Sequence, residues 1–229
     1  MFNFPELEPH FKASKEGVNS NLLILLHGLG DTPVNFLKFG TGMQLPQTAI
    51  VSLKGPHPIP FFDEGSGWFP VVKMSLILEM EHDHPVVKAG IKKSRDLLSK
   101  FLKTCVFLSE SNLGGWPPER VFLLGFSNGG TISLDLLLSG QIDNKSINLG
   151  GVISISGWLF NNYLQESQPC KVPICITQGK NDQTLSQQLI AKKKSQVVKA
   201  FTKSDCIEIS GKGHTMPNTH VMNTSKYSC

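Results

Sequence analysis

Hydrophobic positions along the chain fall into two alternating patterns: short unbroken apolar runs bounded by turn residues, and longer segments with apolar residues every third or fourth position. The first run, Leu22-Leu23-Ile24-Leu25-Leu26, stops at His27-Gly28. A run without alternating polar positions suits a strand covered on both faces, as in a parallel sheet. Ala49-Ile50-Val51-Ser52-Leu53 predicts a second strand, and Val121-Phe122-Leu123-Leu124 another after the break at Pro117-Pro118. Further strands are expected over 151–155, 174–177 and 206–209. Between them, residues 85–105 set Val87, Ile91, Leu98, Phe101, Leu102 and Cys105 at helical spacing, and helices are predicted over 131–138 and about 186–201. This alternation builds right-handed βαβ units on a mostly parallel sheet with helices on both faces. No repeat or linker divides residues 1–229, so one α/β domain is expected, with a short polar tail over 215–229. Ligands of such sheets bind beyond the carboxyl ends of the strands, so the residues that follow each strand carry the functional information.

Composition narrows the classes without choosing among them. Apolar residues make up 40% and charged residues 17%, as in ordinary globular chains. The net charge of +4 is small and scattered apart from Lys192-Lys193-Lys194, which reads as a solvated helix face. No basic stripe interleaved with aromatics exists, so nucleic acid is not an expected partner. The cysteines number five, an odd count at spacings that match no disulfide or zinc pattern, which suits a reduced chain, cytoplasmic or nuclear. No apolar run approaches the roughly 18 residues of a membrane helix, and residues 1–15 lack the pattern of a secretory leader. His82-Asp83-His84 supplies too few ligands at useful spacing for a metal and reads as a solvated turn.

Gly125-Phe126-Ser127-Asn128-Gly129 is a G-x-S-x-G match between a predicted strand and a predicted helix. In that setting the serine occupies a sharp turn that exposes its hydroxyl at the top of the sheet. A serine hydroxyl is a weak nucleophile and needs a base, which in turn needs an orienting acid. The chain order in this arrangement is Ser, acid, His. Asp182, in Gln178-Gly179-Lys180-Asn181-Asp182, follows a strand. Asp143 at a helix end and Asp205 at a strand start lie at the wrong side. His214 follows the last strand in a Gly-rich loop, a context that His220 lacks. Ser127, Asp182 and His214 are therefore the expected catalytic residues. An oxyanion intermediate needs two backbone donors, expected here from Asn128 and from Leu29 in the loop after the first strand. On this reading the side chain of Asn128 is immaterial and its replacement costs little. His27 is expected to bond the loop backbone rather than to act as a base.

With those residues in place the chain resembles the small α/β-hydrolases of the acyl-protein thioesterase, lysophospholipase and carboxylesterase family. The resemblance runs through Leu26-His27-Gly28-Leu29-Gly30-Asp31-Thr32, Gly67-Trp68-Phe69, the nucleophile elbow, Ile155-Ser156-Gly157-Trp158-Leu159, Gly179 with Asp182, and Gly211 with His214. It implies a cofactor-free, single-domain α/β-hydrolase fold. Its implied substrates are fatty-acyl thioesters on proteins, lysophospholipids or smaller carboxylic esters. Trp68 and Trp158 are then expected to line the substrate surface. The family usually has Gln after the nucleophile where this chain has Asn128. Residues 71–83 form a longer loop than usual, whose Met74, Leu76 and Leu78 either cover an acyl chain or pack in the core. A second reading of the whole chain is a catalytically silent relative that binds a lipid or a partner protein.

Overall fold

The computed structural model describes residues 2–60, 62–71, 84–107, 115–159 and 169–217. In chain order these form strand β1 (His10–Lys12), β2 (Asn21–Leu26), helix α1 (Pro33–Gly42), β3 (Thr48–Leu53), the hairpin strands β4 (His57–Ile59) and β5 (Phe62–Gly67), and α2 (Pro85–Phe101). There follow β6 (Val121–Phe126), α3 (Asn128–Ser139), a small hairpin of β7 (Gln141–Ile142) and β8 (Lys145–Ser146), β9 (Gly151–Ile155), β10 (Ile174–Gly179), α4 (Gln187–Ala200) and β11 (Ser204–Ile209). Seven strands make one sheet in the order β1-β3-β2-β6-β9-β10-β11. All neighbours run parallel except β1, which pairs antiparallel with β3 at one edge. The mostly parallel α/β fold of the sequence reading is therefore the observed one. β1, α1 and the β4–β5 and β7–β8 hairpins lay outside that reading.

Alternation along β2 shows how the sheet sorts its residues. Leu23 and Leu25 face one side, where Phe36 of α1, Met43, Ile50, Leu124 and Ile155 close a small core. Leu22, Ile24 and Leu26 face the other, a larger core with Ile91 and Leu98 of α2, Ile132 and Leu134 of α3, and Ile190 and Val197 of α4. Both faces are covered, which is why β2 reads as continuously apolar. The helix starts follow from local chemistry. Thr32 Oγ1 accepts from Asn35 N at 3.3 Å ahead of Pro33, and Ser186 Oγ accepts from Leu189 N at 3.2 Å; each satisfies an end donor that the helix leaves unpaired. His84 caps α2 in the same way, accepting from Val86 N, with Pro85 next. After Phe101 the chain widens into a π-helical turn, Leu102–Phe107.

α3 lies under α2 and is buried along nearly its whole length. Asp135 on α3 has no exposed side-chain surface, and Arg95 Nη1 of α2 donates to its two oxygens at 3.2 and 3.4 Å. Burial pushes the Asp135 carboxyl up to about 7 against the opposing pull of Arg95. The lysine run on α4 departs from the expected solvated face. Lys193 is fully buried and its Nζ donates to Leu159 O at 2.6 Å, whereas Lys194 pairs with Glu208 across to β11. An ammonium on a long apolar stem can reach a buried carbonyl, so a run of charges on one helix need not share one environment. Cys105, Cys170 and Cys206 are free thiols. Among the described residues no helix is long and apolar enough to cross a membrane.

Candidate active site

The strand order reverses between β2 and β6: the chain leaves β2 toward β3 on one side and returns to β6 on the other. Open α/β sheets bind ligands at such a switch point, beyond the carboxyl ends of the strands. Here that place is formed by the loop after β2, residues 27–32, and the turn after β6, at Ser127.

Ser127 is held at φ 51°, ψ −111°, a left-handed conformation that costs a non-glycine residue about 1–3 kcal/mol. Its N–H donates to Ile155 O at 2.7 Å, which ties the turn to the neighbouring strand. The flanking glycines are steric necessities. A Cβ at Gly125 would stand 2.3 Å from Gly129 O, and one at Gly129 would stand 2.1 Å from Leu26 O. Behind Ser127, α3 begins at Asn128 and presents the unpaired N–H groups of its first turn.

The acid and the histidine arrive from the next two strands. Asp182 sits in the turn after β10 and His214 in the loop after β11. Asn181 N donates to Lys212 O at 2.8 Å and Lys180 N to Ile209 O at 2.9 Å, which locks one loop to the other. Gly179 permits this approach, because a Cβ there would meet Lys212 O at 2.4 Å. His214 Nδ1 lies 2.8 Å from Asp182 Oδ2, and His214 Nε2 lies 2.9 Å from Ser127 Oγ. A carboxylate only accepts, so Nδ1 carries the proton and Nε2 turns its lone pair to the serine hydroxyl. The ring is steadied by Phe126, 5.2 Å away between centroids. Asp182 is buried, which disfavours its charge. Thr184 outweighs that by donating from Oγ1 at 2.6 Å and N at 2.9 Å, together with His214, and the carboxyl is held below its usual range. The alternatives stand elsewhere: Asp143 occupies the β7–β8 turn, a hairpin rather than the expected helix end, and bonds Lys103; Asp205 starts β11. His220 lies outside the described residues.

The loop after β2 is bonded on both sides. His27 is fully buried. Its Nδ1 donates to Gly28 O at 2.7 Å and its Nε2 accepts from Gly55 N at 3.1 Å. Burial pushes the imidazole down, against the pull of Gly28 O, so it stays neutral and serves the loop backbone. Gly30 N donates to Ser66 O at 2.9 Å. Leu29, between these anchors, is 38% exposed.

Several expectations change here. Trp68, expected at the substrate surface, is fully enclosed; its Nε1 donates to His27 O at 3.0 Å, so it props the loop from beneath. Trp158 is 4% exposed and its Nε1 donates to Gln178 Oε1 at 2.9 Å. Both indoles are core residues with a satisfied N–H and offer no substrate surface. The side chain of Asn128 is not immaterial: it is buried, its Oδ1 accepts from Trp68 N at 2.6 Å, and its Nδ2 reaches Phe69 O at 3.5 Å. Met74, Leu76 and Leu78 lie outside the described residues, as do His82 and Asp83, and the tail over 215–229 is described only to 217. Among the described residues no group of three His, Cys, Asp or Glu stands where it could hold a metal ion.

Gln178 and Thr184 escaped the sequence reading although both touch Asp182. A signal existed for each: Gln178 is an amide late in a strand that opens on the apolar Ile174-Cys175-Ile176, and Thr184 stands two residues after an aspartate, a spacing that favours a local side-chain turn.

The comparisons agree with this architecture. An uncharacterised hydrolase of Mycosarcoma maydis is 36% identical over 152 residues, 65% of this chain and 53% of its own length, so the chain spans about half of that relative. Acyl-protein thioesterase 1 of Emericella nidulans is 28% identical over 181 residues, 70% of this chain and 68% of its own. The crystal structure of esterase PE8 superposes with a TM-score of 0.71 at 22% identity, covering 92% of each chain, a likeness of fold. The phospholipase/carboxylesterase family model matches residues 10–228, and the chain belongs to that family of α/β-hydrolases.

Proposed function

We propose that this chain is a serine hydrolase that cleaves carboxylic esters or thioesters through an acyl-enzyme. The observation that carries the proposal is His214, bonded at once to Asp182 at 2.8 Å and to Ser127 at 2.9 Å. Ser127 Oγ attacks the acyl carbonyl carbon while its proton passes to His214 Nε2. The imidazolium is stabilised by the ionised Asp182, and the developing oxyanion by the N–H groups of Leu29 and Asn128. Collapse breaks the bond to the alcohol or thiol, which leaves with the proton from His214. Water then repeats the sequence, releasing the carboxylic acid and restoring Ser127.

Fatty-acyl substrates, on a protein or a lysophospholipid, suit this reading best. Relatives in two fungi carry the name acyl-protein thioesterase 1, and a rice relative is called a probable carboxylesterase. Fluorophosphonate labelling of Ser127, followed by turnover of p-nitrophenyl esters and acyl thioesters of increasing chain length, tests both levels. Absence of labelling sinks the hydrolase and supports a silent binding module; labelling with a preference for acetyl over longer chains keeps the hydrolase and removes the fatty-acyl substrate.

A further inference from the structure

Asp182 does not orient His214 alone. Its Oδ2, the oxygen that receives His214 Nδ1–H, also accepts from Gln178 Nε2 at 2.7 Å. The other end of that amide, Oε1, accepts from Trp158 Nε1 at 2.9 Å. Trp158 in turn follows β9, and its backbone N–H donates to Thr131 Oγ1 of α3 at 3.3 Å, one turn beyond Ser127. Trp158, Gln178 and Asp182 are all at most 4% exposed, so no bulk water competes for these bonds. The orientation of the amide is forced: an indole N–H only donates and a carboxylate only accepts, so Oε1 faces the first and Nε2 the second. A carboxylate at 178 would repel Asp182, and an apolar side chain would leave the Trp158 N–H without its acceptor.

We infer that Gln178, braced by Trp158, is a positioning residue of the hydrolase proposed above: it fixes which oxygen of Asp182 meets His214 and draws off part of that oxygen's charge. The inference rests on that hydrolase reading. Oδ1 is already committed to Thr184, so Gln178 is the group that can pin the carboxylate about its remaining degree of freedom. Loss of the Gln178 bond concentrates negative charge on Oδ2. The imidazolium is then held more tightly and the base is released from its proton only at higher pH. Charged groups on the elements around this corner are Lys180 and Lys212 in the flanking turns, Glu208 of β11, which lies opposite Gln178 in register and pairs with Lys194, and Lys193 of α4, which bonds Leu159 O beside Trp158. None bonds Asp182.

The test is the pH dependence of the rate at which a fluorophosphonate labels Ser127, measured for the wild type, Gln178→Leu, Gln178→Met and Trp158→Phe, with melting temperature alongside. The acid limb should move to higher pH by on the order of one unit in both Gln178 variants. In Trp158→Phe it should move the same way by less, since the amide keeps its donor but loses its brace. Variants that melt earlier yet keep the wild-type acid limb would show a purely structural role and overturn the inference. Gln178→Met fills the same volume without the bonds, so it remains informative if Gln178→Leu fails to fold. A wild type that is not labelled at all removes the hydrolase itself, a result distinct from a labelled wild type with unmoved limbs in the variants.

Discussion

Replacing Asn128 by alanine separates what its backbone does from what its side chain does. The alanine keeps the N–H expected to face the oxyanion but removes the acceptor of Trp68 N, a 2.6 Å bond between residues 6% and 0% exposed. A buried N–H left without an acceptor costs about 1–3 kcal/mol. In a chain of 229 residues that corresponds to a fall in Tm of about 2–4 °C per kcal/mol. Trp68 also holds His27 O, so the loosened strand end is transmitted to the loop that carries Leu29. Loss of a whole oxyanion donor lowers turnover by about 10²–10³. Here both donors survive and only their alignment suffers, so kcat should fall about tenfold with KM little changed. Asn128→Asp is the control. It retains the acceptor for Trp68 but sets a buried carboxylate oxygen against Phe69 O, so its Tm should fall as well, while its negative charge beside the oxyanion should depress kcat further than alanine does. The assay is initial-rate kinetics on a short p-nitrophenyl ester with a thermal melt of each variant. An Asn128→Ala protein with wild-type kcat and wild-type Tm would refute the strut.

Ser127→Ala should lower turnover by a factor on the order of 10⁶, as for a nucleophile acting in concert with its base; a variant retaining a tenth of the rate removes the assignment. Gly129→Ala should fail to fold or lose all labelling by a fluorophosphonate, because its Cβ would stand 2.1 Å from the carbonyl oxygen of Leu26; a soluble, labelled variant would show that the elbow can open. Asp135 is pushed up to about 7 from an ordinary value of 3.8, so the folded state holds a proton that the unfolded chain has released across that window. Its contribution to stability therefore falls as pH rises from about 4 to 7 and is level above. Measured by thermal melts, the Tm of Asp135→Asn relative to the wild type should climb across that window, and a constant difference would mean that Arg95 keeps the carboxylate ionised throughout.

The strands were legible because the sheet is covered on both faces, and double coverage writes an unbroken apolar run that few other elements share. Helix α1 was not, since Pro33 to Gly42 opens on a proline and carries two glycines near its end, and its stability comes from packing Phe36 beneath β2 and β3. The elbow was legible because its glycines answer a steric demand local to the turn. Asp182 and His214 could be placed by the end of the strand that each follows. What a tryptophan after a loop does was not legible: Trp68 and Trp158 would carry the same letters whether they lined a pocket or filled a core, and burial is decided by elements distant in sequence. The same holds for Lys193, which shares a helix with two neighbours of the same type and yet is buried.

The place of β2 beside β6 has a consequence for how the chain acquires its shape. Leu22 lies opposite Val121, whereas β2 finds β3 after a single helix. Closing the longer loop demands more chain entropy before any contact rewards it, so pairings of this span form slowly. The β1–β3 side of the sheet can therefore assemble as an early unit, and β6 joins it across the seam that later becomes the cleft. The strained turn at Ser127 depends on Ile155 O, brought by β9 on the other side of β6, and on the close approach of Gly129 to Leu26, which exists only after that seam has closed. Reactivity of the serine is thus a late kinetic marker, and its return during refolding should lag the recovery of secondary structure.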